Sequence, residues 1–494
     1  MKTHLIIKLK KFGFAFASLL FILACQNEDK DLQDPKFSKT AEIFTDTPIG
    51  MGTNFYFPYG AGPDNPVGSK LNAWSVDQNV SYKGDTSMRF DVPSEDDIEG
   101  NYAGGIFRVD GVGRDLTGYD ALTFWAKASQ GVTIAEFGFG EDFYPNKYIT
   151  TLRNVSLGTA WTKYIIPIPD ASKLIQEKGM LRYAANTNDT NGKGYTFWID
   201  ELKFEKLGTI GKPKPTIASG VNKKVQSFIG ITIPITDIKV DFNMPTGLNL
   251  SVYPAPGYLA FKSSDPNVAT VNESGLINVV GTGEAVITGN LGGVLNTDTN
   301  EFVGGVDALD SVTINSLGNF SLPPTPTRDP ANVISVFSDF YPSIKVDFFN
   351  GYWQPYQTTL SADFSVKGDN FLNYTNFNFV GHQFGNPTVN LNNMTHLHFN
   401  MYIPGSVPAN FDFLITLVDF GPDGNNGGGD DTRQQLFVPK SNKIKANEWI
   451  TIEVPITMTT KNRVGLIIYE NINIPRGPGL KNFYMDNVYF YKNN

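Results

Sequence analysis

Two glutamates, Glu136 and Glu141, stand close together in "EFGFGED". Two carboxylates facing each other across a cleft are what cleavage of a glycosidic bond needs, one as acid and one as base or nucleophile. The compact E-x-D-x-x-E spacing of family 16 glycoside hydrolases is absent. The acidic counterpart of this stretch further along the chain is Asp419 in "LVDFG". Strand-edge charge is the simpler reading of both glutamates. No serine occupies a G-x-S-x-G elbow, and the one cysteine is Cys25. His396 and His398 in "THLHF" share one face of a strand, without the third ligand that a zinc site requires. "DFGPDGNNGGGDD" (419–431) lacks the glycine and glutamate positions of an EF-hand loop and reads as a loop flanking a cleft.

A different chemistry is carried by rings. "GYWQPY" (351–356) sets Tyr352, Trp353 and Tyr356 in a stretch interrupted by glycine and proline, which reads as a surface loop. Clustered exposed aromatics mark a binding surface. A flat ring packs on the C–H face of a pyranose, while Asn, Gln, Asp and Tyr hydroxyls meet its rim. Each stack is worth about 1 kcal/mol, by analogy with aromatic pairs. "YFPY" (56–59) supplies Tyr56, Phe57 and Tyr59 at the corresponding place, and Trp74 adds a ring before the "KGD" turn. "GGIF" (104–107) parallels "GHQF" (381–384), which brings His382 and Gln383 to the same side. The competing reading is that these rings fold inward and plug the end of a sandwich. Trp125, Trp161, Trp198 and Trp449 lie in strand patterns and read as core or as covered by a neighbouring unit.

The elements that must position these residues come in duplicate. "IFTD", "SYKGD", "LTGYDALTF", "TAWTKYIIPI" and "FWIDELKFEK" return in the same order as "VFSD", "SVKGD", "LNNMTHLHF", "NEWITIEVPI" and "FYMDNVYFYK". Five matches in series indicate two copies of one domain, 43–208 and 330–494. Alternating apolar segments bounded by turns predict an all-β fold, with two β-sandwich (jelly-roll) modules. One helix is expected around "DASKLIQEKG" (170–179). Between the copies, 212–317 is a different unit, entered through the stiff linker "KPKPT" and left through "LPPTPTRDP".

The repeat also matches aspartates. Asp46, Asp85 and Asp200 correspond to Asp339, Asp369 and Asp486. An aspartate inside an apolar final strand must be compensated. A structural calcium ion and hydrogen bonds from a neighbouring turn are the two readings. No other cofactor is required.

The 494 residues carry a net charge of −9, with 37 Phe and 21 Tyr. Without a basic cluster beyond the first eleven residues, nucleic acid is not an expected partner. A single cysteine excludes an intrachain disulfide. The basic start, the short apolar run "FGFAFASLLFILA" and the Cys25 that follows read as a signal peptide over 1–24 and a flexible linker over 25–42.

Three resemblances refine this. "ILAC" resembles the bacterial lipobox, which implies lipidation at Cys25, and "QNEDKD" resembles the export tag of Bacteroidetes surface lipoproteins. "LAFKSSDPNVATVNESGLINVVGTGEAVITGN" (259–290) resembles the bacterial immunoglobulin-like group 2 domain, implying an immunoglobulin-like β-sandwich that acts as a spacer. "PANVISVFSD", "LNYTNFNFVGHQFG" and "LVDFGPDG" resemble the carbohydrate-binding domain attached to laminarinase-like proteins and surface lipoproteins of marine Bacteroidetes. Together these resemble a surface glycan-binding protein of a polysaccharide-utilisation locus. The resemblance implies β-1,3-glucan such as laminarin as ligand, and an outer-membrane, cell-surface, lipid-anchored position. It also implies transfer of the glycan to an outer-membrane transporter complex. The expected function is non-catalytic capture, with avidity from two modules held apart by the spacer. The rivals are a hydrolase or lyase using Glu136 and Glu141, and a structural adhesin.

Overall fold

The computed structural model describes residues 36–492 apart from 63, 64, 66, 144, 352, 367 and 473–478. Cys25 with its leader, and Tyr352, lie outside the described residues. The fold is all-β: strands, joined by turns and a few 3-10 turns, account for every regular element among them. No helix there is long and apolar enough to cross a membrane. The helix expected at 170–179 is a single 3-10 turn, Ala171–Lys173, capped by the Asp170 side chain accepting from Ser172 N. Leu174 is the one buried apolar side chain of that stretch, with Ile175 exposed, too little apolar burial to hold so short a helix.

The two copies share one strand order. In the first, Trp74–Asp77, Ser87–Val92, Tyr195–Glu205, Ala121–Ala128 and Thr162–Pro167 lie side by side, and Glu42–Phe44 also pairs with the long Tyr195–Glu205 strand. In the second, Leu360–Val366, Asp369–Thr375, Phe483–Tyr491, His396–Tyr402 and Trp449–Pro455 repeat that order, with Val333–Phe337 as the extra strand. The facing sheet of the first copy runs Thr150–Leu157, Val132–Phe139, Gly179–Ala185, Ala103–Arg108 and Tyr56–Pro58. Its counterpart runs Thr432–Pro439, Asp412–Asp419, Val464–Glu470 and Phe379–Gln383.

Period-two alternation builds each sandwich. In Trp449–Pro455, Ile450, Ile452 and Val454 are buried while Thr451 and Glu453 face outward. Within one sheet of the first sandwich, the paired residues Phe90 and Phe197 stack with centroids 4.6 Å apart. Such pairs add about 1 kcal/mol to area burial.

The 212–317 unit is not a detached spacer. Its strands Asn249–Pro254, Lys239–Asn243 and Lys214–Thr216 extend the facing sheet of the first sandwich into one eight-stranded sheet. The junction is Tyr253 paired with Thr151 and Pro254 with Thr150. The rest of the unit forms a five-stranded and a three-stranded sheet around Phe261, Ile277, Ala285 and Ile314, and a two-stranded ribbon, Val294–Asn296 with Glu301–Val303. Toward the second sandwich, Phe228 and Phe320 are buried against Val366, Phe371, Tyr402 and Tyr484. Trp449 closes this joint: its Nε1 donates to the Ser321 carbonyl at 2.6 Å.

Candidate functional site

Each sandwich turns one face of its facing sheet outward, and an aromatic ring lies across a glycine on it. In the second sandwich Gly381 is buried beneath Trp353. A Cβ at 381 would collide with the six-membered part of the indole. The ring packs on Val418, Phe420, Leu466 and Ile468, and runs nearly parallel to Phe379, 5.8 Å away at 25°. The loop is pinned: Tyr356 N and Gln357 N donate to the Trp353 carbonyl, and Trp353 N donates to Gln357 Oε1 at 3.0 Å.

Register puts three rows of side chains around this ring. Phe379, Glu470, Leu414 and Phe437 form one row; Gly381, Ile468, Thr416 and Gln435 the next; Gln383, Leu466, Val418 and Arg433 the third. Phe437 is 47% exposed, and Tyr356, on the loop above, is 77% exposed. The surface is apolar in the middle, with Gln383, Gln435, Glu470 and Arg433 around it. Strand alternation in "TRQQLFVP" is the sequence signal that marks Gln435 and Phe437 as outward-facing.

In the first sandwich the same place belongs to Gly104. A Cβ there would come within 2.9 Å of both the Tyr59 and the Tyr102 rings. Tyr59, rather than Phe57, is therefore the counterpart of Trp353. Phe57 pairs with Ile106 as Phe348 bridges Gln383 at the edge of the other sandwich. The Tyr59 hydroxyl donates to Glu141 at 2.8 Å, and burial with the adjoining glutamate pushes its pKa far up. Glu141 and Glu136 both bind the Arg182 guanidinium, and Arg153 reaches Glu136 at 3.9 Å. Burial raises the Glu141 pKa. The two glutamates thus clamp one arginine instead of facing an open cleft.

Three expected contacts point the other way. His382 is fully buried, its Nε2 within 2.8 Å of the Tyr374 hydroxyl, and burial drives its pKa down to about 3. It alternates with Gly381 and Gln383, so it faces the core while they face out. Tyr56 turns inward, its hydroxyl 3.0 Å from that of Tyr183. Trp74 packs between Phe55, Tyr56 and Phe107. Gln383, Phe57, Tyr59, Trp353 and Tyr356 remain on the outward side.

Asp46, Asp200, Asp339 and Asp486 each accept hydrogen bonds from backbone amides. Among the described residues no group of three or more His, Cys, Asp or Glu side chains could hold a metal ion. Asp46 Oδ1 accepts from Asp85 N and Thr86 N. Asp200 accepts from Tyr82 N, Lys83 N and Glu201 N. Turn amides supply the compensation. In the second copy Asp339 accepts from Asn370 N at 2.5 Å, and Asp369 shares a hydrogen bond with Asp339. Burial, then the hydrogen bond and the charge of Asp339, raises Asp369 to about 6. Burial raises Asp486 to about 7. Asp486 Oδ1 accepts from Asn487 N, and Asn487, like Glu201, has left-handed backbone. His398 and Glu453 form a pair on the opposite sheet, Nδ1 to Oε1 2.9 Å.

Residues 41–206 match the family model of carbohydrate binding domain 30. The first sandwich is thus matched to a carbohydrate-binding module. Among solved structures, the family 30 carbohydrate-binding module of the Clostridium thermocellum cellulosomal cellulase Cel9D-Cel44B is 15% identical, covering 34% of this chain and 97% of that one, with a TM-score of 0.24. The family 11 module from Clostridium thermocellum, in complex with a β-1,3-1,4-mixed-linked tetrasaccharide, is 13% identical over 34% of this chain and 97% of its own, TM-score 0.23. The CBM22-1–CBM22-2 tandem of Paenibacillus barcinonensis Xyn10C is 10% identical over 92% of this chain and 99% of its own, TM-score 0.22. No curated protein matches the chain significantly.

Proposed function

We propose that this protein captures a neutral polysaccharide without cleaving it, with β-1,3-glucan as the favoured ligand. The observation that carries the reading is the repeated placement of a ring over an outward-facing glycine, Trp353 on Gly381 and Tyr59 on Gly104. A ring laid flat along the sheet offers its outer surface to the C–H face of a sugar, and the rim of Gln, Glu and Arg meets hydroxyls. The carbohydrate-binding match over 41–206 supports the same reading for the first sandwich. Glu136 and Glu141 are engaged by Arg182, which favours binding over hydrolysis. Lipidation at Cys25 would hold the chain on the outer membrane at the cell surface, facing the medium, for delivery to a transporter complex.

Affinity electrophoresis in laminarin gels tests the proposal. Wild type is retarded, Trp353→Ala is much less so, and no new reducing ends appear. Unchanged retardation of the Trp353→Ala, Tyr59→Ala double variant would overturn it.

A further inference from the structure

The binding face of the first sandwich does not stop at its own edge strand. Because Asn249–Pro254 continues the sheet, Tyr253 stands on the same outward face as Thr151, Arg182 and Ile106, in one cross-strand row. Val252 and Pro254, its neighbours, are buried on the other side. The Arg153 guanidinium lies over the Tyr253 ring, 4.3 Å from its centroid. From there the polar strip runs through Glu136, Arg182 and Glu141 to the Tyr59 hydroxyl. Between Tyr253 and Arg182 lies a cleft of about 360 Å³ whose walls come from both units: Thr151 and Arg153 on one side, Thr236, Asp237 and Lys239 on the other.

We infer that the 212–317 unit is part of the ligand-binding face, and that Tyr253 is a second sugar-stacking platform opposite Tyr59. Four strand spacings separate the Gly104 strand from the Tyr253 strand, about 19 Å. That length suits several linked sugar units and exceeds what one or two can span. The charge along the strip selects the class of ligand. Every cation there is matched by an acid: Arg182 by Glu136 and Glu141, Arg153 by Glu136, Lys239 by Asp241, Lys223 by Asp237. A polyanion would find no unpaired positive charge, whereas the hydroxyls of a neutral glycan find donors and acceptors already fixed in place. The inference rests on the proposed glycan capture and extends it to chain length.

The test is calorimetric titration of the full chain carrying Trp353→Ala, which silences the second sandwich, with a β-1,3-glucan hexasaccharide and a disaccharide. Tyr253→Ala in that background weakens hexasaccharide binding about fivefold, the loss of one stack of about 1 kcal/mol, and leaves disaccharide binding unchanged. Tyr253→Trp restores it. Thr236→Trp, at an exposed position, fills the cleft and weakens the hexasaccharide equally, which guards against a folding defect in Tyr253→Ala. Unchanged hexasaccharide affinity in both Tyr253→Ala and Thr236→Trp overturns the inference. If Tyr59→Ala still lowers affinity in that case, the capture reading stands without it. If Tyr59→Ala is silent too, the capture reading fails for the first sandwich.

Discussion

Trp353 rests directly on the α-carbon of Gly381, leaving no room for a side chain beneath the indole. The aromatic surface is therefore set by a residue that contributes no atoms to it. Gly381→Ala should lift the ring off the sheet and lower glucan affinity about five- to tenfold, on the order of one stacking contact. Titration alongside near-ultraviolet circular dichroism checks this: the tryptophan signal changes while the strand signal holds.

The second sandwich contains two buried groups with opposite pH behaviour. His382 binds its proton only near pH 3 when folded, against 6.5 ordinarily. Below 6.5 the unfolded chain takes up that proton first, so stability falls as pH falls. Asp486 holds its proton up to about 7 when folded, against 3.8 ordinarily, and Asp369 up to about 6. The folded state then binds the extra protons, so stability is greatest at low pH and falls as pH rises from 3.8 to 7. Asp486→Asn should remove the Asp486 share of that loss, leave the Asp369 share, and let the acid-side slope of His382 show more strongly. Melting curves from pH 4 to 8 read this out, and parallel profiles for variant and wild type would contradict it.

Phe320 ties the 212–317 unit to the second sandwich through Phe371, Tyr402 and Tyr484. Phe320→Ala leaves a cavity that costs roughly 3–5 kcal/mol. Scanning calorimetry should show the transition of the second sandwich separating from the remainder and moving down in temperature.

Arg182 holds Glu136 and Glu141 together. Arg182→Met leaves half-buried Glu141 without a cation and Glu136 with only the longer contact to Arg153, so binding through the first sandwich should weaken and its melting temperature drop several degrees. Glycan hydrolysis should stay at background in wild type and variant, as measured by reducing ends.

The duplication was legible because five short segments kept their order, and both copies fold with the same strand sequence. The aromatic loop was legible from its glycine and proline. The facing of His382 was not. "GHQF" was read as a unit, yet in a strand neighbouring side chains go to opposite faces, so Gly381 and Gln383 face out and His382 goes in. Pairing "YFPY" with "YWQPY" by their prolines hid the match of Tyr59 to Trp353, which only the glycine beneath each ring reveals. The aspartates looked starved of partners because backbone amides leave no trace in a sequence. Tyr253 could not be found at all, since its pairing with Thr151 links residues about a hundred positions apart in different units.

The continuous sheet at one end and the Phe320 joint at the other tie each sandwich to the 212–317 unit. Held by these joints, the two outward faces would act as jaws of a caliper, not as hooks on a string. A polymer strand touching both must already run with the right pitch between them, or bend at its own expense. Discrimination among glucans would then come from the handedness and stiffness of the chain as much as from the chemistry of any one sugar.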